Sequence, residues 1–346
     1  MEAASVPQPQ APPGRRAVEF IGAQILWILL GGFFLVLLVQ DPVRTLNNVV
    51  DGLSIGSIWA LIALGYTLVY GIIELINFAH GEVFMIGSFV SVSLYATFGI
   101  TEDTGIVALI LGLTVVLAIS MLASGSLNVM IERVAYRPLR NAPKLAPLIT
   151  AIGMSFILQN VGLLWRPSPD SPPDLIRSQK QVLDLGGVTF VRSDLFAWAV
   201  TIPLLIALLW FVGQTKYGKA MRATAQDPDA ARLMGINVDR TIGLTFLLGG
   251  LLAGAAGLIY ALYNGTVQFN QGFTAGLIAF TAAVMGGIGN LKGAVVGGLI
   301  IGIIQQTVES RVTDGSAWAP VAVFAILVLV MVFRPQGLFG EETREG

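Results

Sequence analysis

The stretch IVALILGLTVVLAISMLASGSLNVM, residues 106–130, decides the fold class, because it continues for 25 positions without a charged side chain. A helix needs about 20 mainly apolar residues to cross the hydrocarbon core of a bilayer. Further stretches of suitable length and polarity lie at 19–39, 49–72, 82–99, 146–165, 194–213, 241–263, 273–289, 293–309 and 317–333. The sequence therefore predicts an all-α fold, a polytopic bundle of transmembrane helices.

Three of these stretches, at 82–99, 273–289 and 293–309, are short or interrupted by glycine, as in transporter helices that cross only part of the bilayer. Ten candidate spans then reduce to eight full spans plus broken segments. Phe78-Ala79-His80-Gly81 opens one segment and Phe269-Asn270-Gln271-Gly272 opens another, and the two are predicted to run in opposite directions. We interpret this echo as a candidate inverted repeat, with a chance match of four residues as the alternative.

Composition narrows the classes of function. Hydrophobic residues make up 55% of the 346 and charged residues 12%, so most helix faces must meet lipid or other helices. The net charge of -1 provides no basic field that would attract nucleic acid. The sequence contains no cysteine and one histidine, which excludes disulfides, thiolate ligands and a histidine-rich metal site. No metal or other cofactor is predicted.

The predicted domain organisation has three parts. Residues 1–17 are proline-rich and are predicted to be a disordered cytoplasmic tail. Residues 18–338 form a single transmembrane permease domain, and 339–346 form a cytoplasmic C-terminal tail. The apolar run 19–39 is longer than a signal-peptide core and no small-x-small cleavage site follows it, so we expect it to be retained as the first span.

Orientation follows from the distribution of lysine and arginine. These residues crowd the loops at 131–145 and 214–240, which are therefore predicted to be cytoplasmic, together with both termini. The long segment 166–193 is predicted to lie on the opposite side of a bacterial inner membrane. Its apolar and glycine-containing run at 185–191 favours a small hairpin.

The segment 223–236 is a candidate for energy coupling. Asp227 is suited to cap a short helix with Pro228 at its first position, and Gly235 is suited to end it. Such a helix between two spans offers an energising partner a surface to push, whereas the alternative is an ordinary loop helix lying on the bundle. The candidate coupling residues are Ala225, Asp227, Ala231, Leu233, Gly235 and Ile236.

The interrupted segments 74–88 and 273–290 supply candidates for a solute pathway. Ionisable residues near membrane depth are costly and suggest function, although Glu74 and Glu82 would also suit helix caps at the cytoplasmic interface. Neutral hydrogen-bonding groups fit a pathway better. The candidate pathway residues are Asn77, Phe78, His80, Glu82, Phe280 and Thr281.

The glycine-rich run 286–302 resembles a phosphate-binding loop only superficially, because no Lys-Ser/Thr pair follows it. The spacing is typical of close helix packing next to a sharp turn. The residues in question are Gly286, Gly287, Gly289, Gly293 and Gly297. The sequence also contains no Gly-x-Ser-x-Gly elbow and no Walker motif, so no enzyme is predicted and uphill transport would need an ion gradient or a separate ATPase chain.

Four stretches together resemble the Liv-type permease subunits of ATP-binding-cassette (ABC) importers for branched-chain amino acids. They are GYTLVYGIIELINFAHGE (65–82), IERVAYRPLR (131–140), AQDPDAARLMGIN (225–237) and FTAAVMGGIG (280–289). The resemblance spans about residues 47–338. It implies an all-helical permease for leucine, isoleucine and valine that works with a second, LivM-like permease subunit, two cytoplasmic ATPase subunits and an extracytoplasmic solute-binding protein.

Three alternatives remain open from the sequence. Similar permeases carry urea or short amides, so the sequence indicates the class of transporter more clearly than it indicates the transported solute. A proton-coupled secondary transporter would use His80 with Glu74 or Glu82 as its relay and would work without ATPases. A membrane scaffold would need no central pathway and would tolerate substitutions in its cytoplasmic loops.

Overall fold

The computed structural model describes residue 28 and residues 31–140, 142–143, 145–176 and 181–340. The predicted tail at 1–17, the beginning of the predicted first span and most of the predicted C-terminal tail lie outside the described residues. Their assignment, and with it the predicted division into domains, stays a prediction.

The described chain is almost entirely helical. Its helices are α1 (Gly31–Gln40), α2 (Pro42–Ile73), α3 (His80–Phe98), α4 (Ile106–Ile131), α5 (Leu145–Trp165), α6 (Arg192–Gln214), α7 (Lys216–Gln226), α8 (Pro228–Leu233), α9 (Val238–Asn264), α10 (Gln271–Gly286), α11 (Leu291–Arg311) and α12 (Gly315–Phe333). A π-helical turn (Glu132–Tyr136) and a 3-10 turn (Arg137–Leu139) extend α4. Strands β1 (Gln181–Leu185) and β2 (Val188–Val191) form an antiparallel hairpin.

Eight of the described helices are long and apolar enough to cross a membrane, while α1 and α10 are shorter. This confirms the predicted polytopic helical fold in its form with eight full spans plus shorter segments. The hairpin also lies where the sequence predicted one. Of the three stretches predicted to be short or interrupted, those at 82–99 and 293–309 belong to helices of 19 and 21 residues that are long enough to cross, and the one at 273–289 belongs to the shorter α10. The Asn290 side chain caps α11 by accepting a hydrogen bond from the Gly293 N–H at 3.0 Å.

The core of the bundle consists of α2 and α9, in whose most apolar windows 89% and 72% of residues are buried. The two helices cross at Gly65 and Gly249, where the missing side chains let the backbones touch. They run antiparallel, since Tyr263 near the end of α9 donates a hydrogen bond to the Asp51 carbonyl near the start of α2. By contrast, α4, α5, α6 and α12 leave most of their apolar windows exposed, as surfaces for lipid or a partner chain.

Two triplets of helices, α2–α4 and α9–α11, pack against each other reciprocally. Helix α11 lies antiparallel along α2, with Gly302 against Gly52 and Gly56. Helix α4 lies in the same way along α9, where Gly254 meets Ser120 and Met121. Helix α3 accompanies α9 as α10 accompanies α2. This arrangement is an inverted repeat, which the short sequence echo anticipated.

The echo residues lie where the two repeats meet. Both α3 and α10 begin at membrane depth, because Glu82 in the first turn of α3 accepts a hydrogen bond from Ser155 at the middle of α5. Gly81 packs directly on the backbone of Gly272 and Gly276 in α10. Two helix N-termini therefore meet inside the protein, each reached by a loop that runs back into the bundle.

We predict that Gly302→Leu destabilises the bundle, because its side chain would overlap the α2 backbone at Gly52 and Gly56. Overpacking of this kind costs about 1–3 kcal/mol. The thermal denaturation midpoint of the detergent-purified protein should fall. Gly153→Leu, on an exposed part of α5 with open space around it, is the matched control and should leave the midpoint nearly unchanged. Equal midpoints for both variants would contradict the packing argument.

Candidate functional site

The connection between α6 and α9 forms a rigid segment outside the spans. The Asp227 side chain accepts hydrogen bonds from the backbone N–H groups of Asp229 and Ala230, each at 2.9 Å, and Pro228 occupies the first position of α8. Gly235 has a φ of +81°, a conformation that favours glycine, and ends the turn. The local structure is the capped helix that the sequence predicted, and its coupling role is addressed below.

The exposure pattern of this segment is unusual for a loop helix resting on a bundle. Ala231 is buried, whereas Leu233 and Met234 are 89% and 83% exposed. Ala225 and Asp227 are also exposed, and Ile236 is half-buried. Two large apolar side chains thus project away from the bundle on a segment that is not itself a span. Large exposed apolar groups of this kind commonly mark a contact with another protein.

A cavity of about 440 Å³ separates α8 from the end of α2. The residues lining it include Ile73, Glu74, Arg140, Asp229 and Arg232. The segment 223–236 therefore lies next to the loop between α2 and α3, which carries Asn77. Space between the two elements permits relative movement without repacking of the core.

Asn77 is the centre of a buried polar network. Its Oδ1 accepts hydrogen bonds from the Tyr136 hydroxyl at 2.9 Å and from the Ala79 N–H at 3.1 Å. Its Nδ2 donates to Asn128 Oδ1 at 3.3 Å, and Asn128 in turn donates to the Phe246 carbonyl at 2.6 Å. The loop after α2 is thereby tied to α4 and α9.

A charged cluster lies next to this network at the end of α4. Glu132 is fully buried and accepts hydrogen bonds from Arg140 and from Arg137 Nε, the latter at 3.4 Å. Arg140 also pairs with Asp239 Oδ1 at 2.5 Å in the first turn of α9. The π-helical turn places Glu132 and Tyr136 on the same inward side, so the cluster and the Asn77 network are structurally continuous.

The other predicted pathway residues are packed inside the protein. His80 and Thr281 are at most 1% exposed and Glu82 is fully buried. The His80 ring lies against Gly65 and meets the Tyr66 ring edge to face at 5.0 Å between centroids. Glu82 is enclosed by the bundle, where its Oε1 accepts a hydrogen bond from the Ser155 hydroxyl at 3.2 Å.

The structure brings together the two predicted phenylalanines and one of their neighbours. Phe78 and Phe280 have ring centroids 6.2 Å apart, and Tyr66 lies 6.2 Å from Phe280. Thr281 instead bonds its own helix, donating to the Leu277 carbonyl at 2.9 Å. Phe78 and Phe280 are only partly buried and connect the two repeats.

The predicted glycine residues divide between turn and packing. Gly287 and Gly289 have φ values of +102° and +95° and form the sharp turn between α10 and α11. Gly286 and Gly293 face each other across that turn, and Gly297 packs on the Ala282 carbonyl. Gly289 precedes α11 and shapes the turn, and its backbone lies against Gly71 near the end of α2.

The sequence did not predict a second group of polar residues, which line a cavity that we name the outward cavity. They surround a partly open cavity of about 300 Å³ between α2, α9, α10, α11 and α12. Trp59 Nε1 donates to Gln305 Oε1 at 2.8 Å, and Gln305 Nε2 donates to Glu309 Oε1 at 2.9 Å. Gln271, the counterpart of His80 in the sequence echo, lines the same cavity. The echo was the only signal in the sequence that pointed to it.

These features define a class of protein. Eight crossing helices in an inverted repeat, with helix N-termini and polar groups at membrane depth, are the architecture of a polytopic membrane permease. The family model described as "Branched-chain amino acid transport system / permease component" matches residues 48–332. The chain belongs to this family.

Relatives of known name support this membership. The chain is 40% identical over 301 residues to the high-affinity branched-chain amino acid transport system permease protein BraD of Pseudomonas aeruginosa, covering 85% of this chain and 95% of BraD. It is 42% identical over 299 residues to LivH of Escherichia coli, with the same coverage. The probable permease LivH of Methanocaldococcus jannaschii is 29% identical over 302 residues, covering 82% and 89%.

We predict that Asn77→Leu lowers the free energy of unfolding by about 1–3 kcal/mol, because it leaves the buried Tyr136 hydroxyl and the Asn128 Oδ1 atom without their hydrogen-bond partner. Tyr136→Phe should cost less, since Asn77 Oδ1 keeps its bond from the Ala79 N–H. Thermal denaturation of the two single variants and the double variant measures the coupling. Additive effects would show that the two side chains do not interact.

Proposed function

We propose that this chain is a permease subunit of an inner-membrane ABC importer that carries leucine, isoleucine and valine. The supporting observation is the 40–42% identity to BraD and LivH across 95% of their lengths, which includes the segments of the network and of α8. Relatives of that similarity over the full length share architecture and, in their names, one solute class. ATP hydrolysis is assigned to partner chains.

The proposed partners are a second, LivM-like permease, two cytoplasmic ATPases and an extracytoplasmic solute-binding protein. Exposed Leu233 and Met234 offer an ATPase an apolar anchor, and the capped, glycine-terminated α8 holds that anchor in a fixed position. The exposed apolar faces of α4, α5, α6 and α12 supply surfaces for lipid and for the second permease.

We also propose the orientation that the basic loops predict, with α8 and both termini in the cytoplasm. The hairpin and α8 lie at opposite ends of α2. Asn47 near the start of α2 donates to the Gly187 carbonyl at 3.0 Å, whereas Glu74 after its end shares a cavity with Asp229 of α8. The basic loops at α8 and after α4 share the same end, in agreement with the positive-inside rule.

A mechanism follows from these contacts. ATPase closure pushes α8, and α8 leads directly into the first turn of α9, where Asp239 is paired with Arg140. Arg140 holds Glu132, which lies one π-helical turn from Tyr136 and its bond to Asn77. Movement at the ATPase surface thereby reaches the loop that closes the cytoplasmic half of the bundle.

The test of this function is uptake by the reconstituted complex, measured with labelled leucine and labelled urea in parallel. We expect ATP-dependent uptake of leucine and none of urea. Urea uptake without leucine uptake would mean that the transported solute is urea, and it would leave the assignment as an ABC importer unchanged. Leucine uptake by this chain without ATPases, driven by a proton gradient, would support the secondary transporter in which His80 and Glu82 form a relay.

We predict that Leu233→Ser uncouples ATP hydrolysis from transport, because it removes an exposed apolar anchor without disturbing the bundle. Asp227→Ala should act in the same direction by costing about 0.5–2 kcal/mol of capping, and Gly235→Val by forbidding the positive φ. Leucine-stimulated ATPase activity and uptake should both fall.

The matched control for Leu233→Ser is Leu183→Ser, which alters a half-exposed leucine in the hairpin at the other end of the molecule. Leu183→Ser should leave the stimulated ATPase activity at the level of the unaltered complex. Amounts of membrane-inserted protein should be equal for all variants. Normal leucine stimulation of ATPase activity in the Leu233→Ser variant would instead show that α8 is an ordinary loop helix without a coupling role.

A further inference from the structure

We propose that the outward cavity is a binding site for an α-amino acid zwitterion within this chain. Gln271 and the N-terminus of α10 would receive the α-carboxylate, and Glu309 would receive the α-ammonium group. The proposal rests on the proposed function, because it gives the transported amino acid a location. It gives binding roles to Gln271 and Glu309, to which the sequence motifs gave none.

The carboxylate end is built from groups that lack a partner. Asn270, which precedes α10 and lines the cavity, makes no side-chain cap bond, so its amide is not engaged with the first turn of the helix. Gln271 is 7% exposed, and its Nε2 has no hydrogen-bond partner, while its Oε1 is held by the Gln268 N–H at 3.1 Å. A fixed, buried donor beside the positive end of a helix favours an anion.

The ammonium end is a carboxylate held in place by neutral donors. Glu309 Oε1 accepts from Gln305 Nε2, and Gln305 Oε1 accepts from Trp59 Nε1, so the three side chains form a connected row along one wall. Among the residues that line the cavity, Glu309 is the sole one with a formal charge. Glu309 is therefore the lining group that attracts a cation, and the Gln305 Oε1 atom beside it adds a hydrogen-bond acceptor.

The remaining wall suits an aliphatic side chain. Ile55, Ala275, Ile278 and the Trp59 ring line the cavity, and all four residues are buried. The volume of about 300 Å³ is at the lower end of ligand cavities and fits a small solute. One anion site, one cation site and an apolar floor match an aliphatic amino acid, whereas urea has neither charge.

The inverted repeat supplies a comparison inside the same chain. His80 occupies the place in the first repeat that Gln271 occupies in the second, and it is 1% exposed and packed against Gly65. At the start of α3 the His80 ring fills the space against Gly65, whereas at the start of α10 the Gln271 side chain lines a partly open cavity. This difference between equivalent positions indicates that the Gln271 side of the bundle is shaped for a ligand.

The test uses the natural absence of cysteine. Thr274→Cys places a single thiol on the cavity wall, and Leu183→Cys places a control thiol on the hairpin. Both are labelled with a water-soluble thiol reagent in the reconstituted complex, and labelling is read by mass spectrometry of this chain's own peptides. We expect leucine at millimolar concentrations to slow labelling at position 274 at least threefold and not at 183. Isopentylamine, 4-methylpentanoate and urea should not slow it.

Isosteric substitutions then identify the two charged contacts. In the Thr274→Cys background, Gln271→Glu keeps the acceptor for the Gln268 N–H and opposes the carboxylate, while Glu309→Gln removes the charge alone. Each should raise the leucine concentration needed for half-protection by about tenfold or more, the size expected for a hydrogen bond to a charged group. Asn160→Gln, on an exposed part of α5, is the control.

The outcomes separate this proposal from the proposed function. Leucine uptake without protection at position 274 overturns the site and leaves the importer intact. If urea or isopentylamine protects position 274 as well as leucine does, the site does not require a zwitterion and that part of the proposal is wrong. Unchanged half-protection in both isosteric variants, with normal amounts of folded protein, overturns the assigned roles of Gln271 and Glu309. Absence of leucine uptake by the unaltered complex contradicts the proposed function itself.

Discussion

The rest of the structure depends on the direct backbone contact between the first turns of α3 and α10. In lipid no hydrophobic force drives helices together, so association relies on close van der Waals contact and on hydrogen bonds. Gly81 and Gly272 provide that contact inside the protein, where a larger side chain would separate the two repeats. The crossing of α2 and α9 at Gly65 and Gly249 lies directly beside it.

The two halves of the inverted repeat differ in how they are filled. In the half that carries Asn77, the side chains bond to one another and leave the polar groups enclosed. In the half that carries Gln271, the equivalent space is an open cavity with an amide donor free. The two repeats therefore share a backbone arrangement and differ in the side chains that fill it.

The sequence predicted the helices well, because a run such as 106–130 has only one stable conformation in a bilayer. The cap at Asp227 was also predictable, since its acceptor and the following proline are adjacent in the chain. Hydropathy does not report where within the bundle a helix begins, so the sequence could not show that Glu82 is enclosed by other helices. Gln271 and Glu309 lie on different helices, and only the packing of α10 and α11 against α2 places them around one cavity.

The short length of α10 has a consequence for the biosynthesis of the protein. A helix of 16 residues preceded by a loop at membrane depth presents backbone polar groups that lipid cannot satisfy. Protein must therefore shelter this segment, and the surfaces that do so belong to α11, which is synthesised next, and to α2 and α3, which are synthesised much earlier. The backbone at the start of α10 is therefore fully sheltered only when helices made before it and after it have packed together.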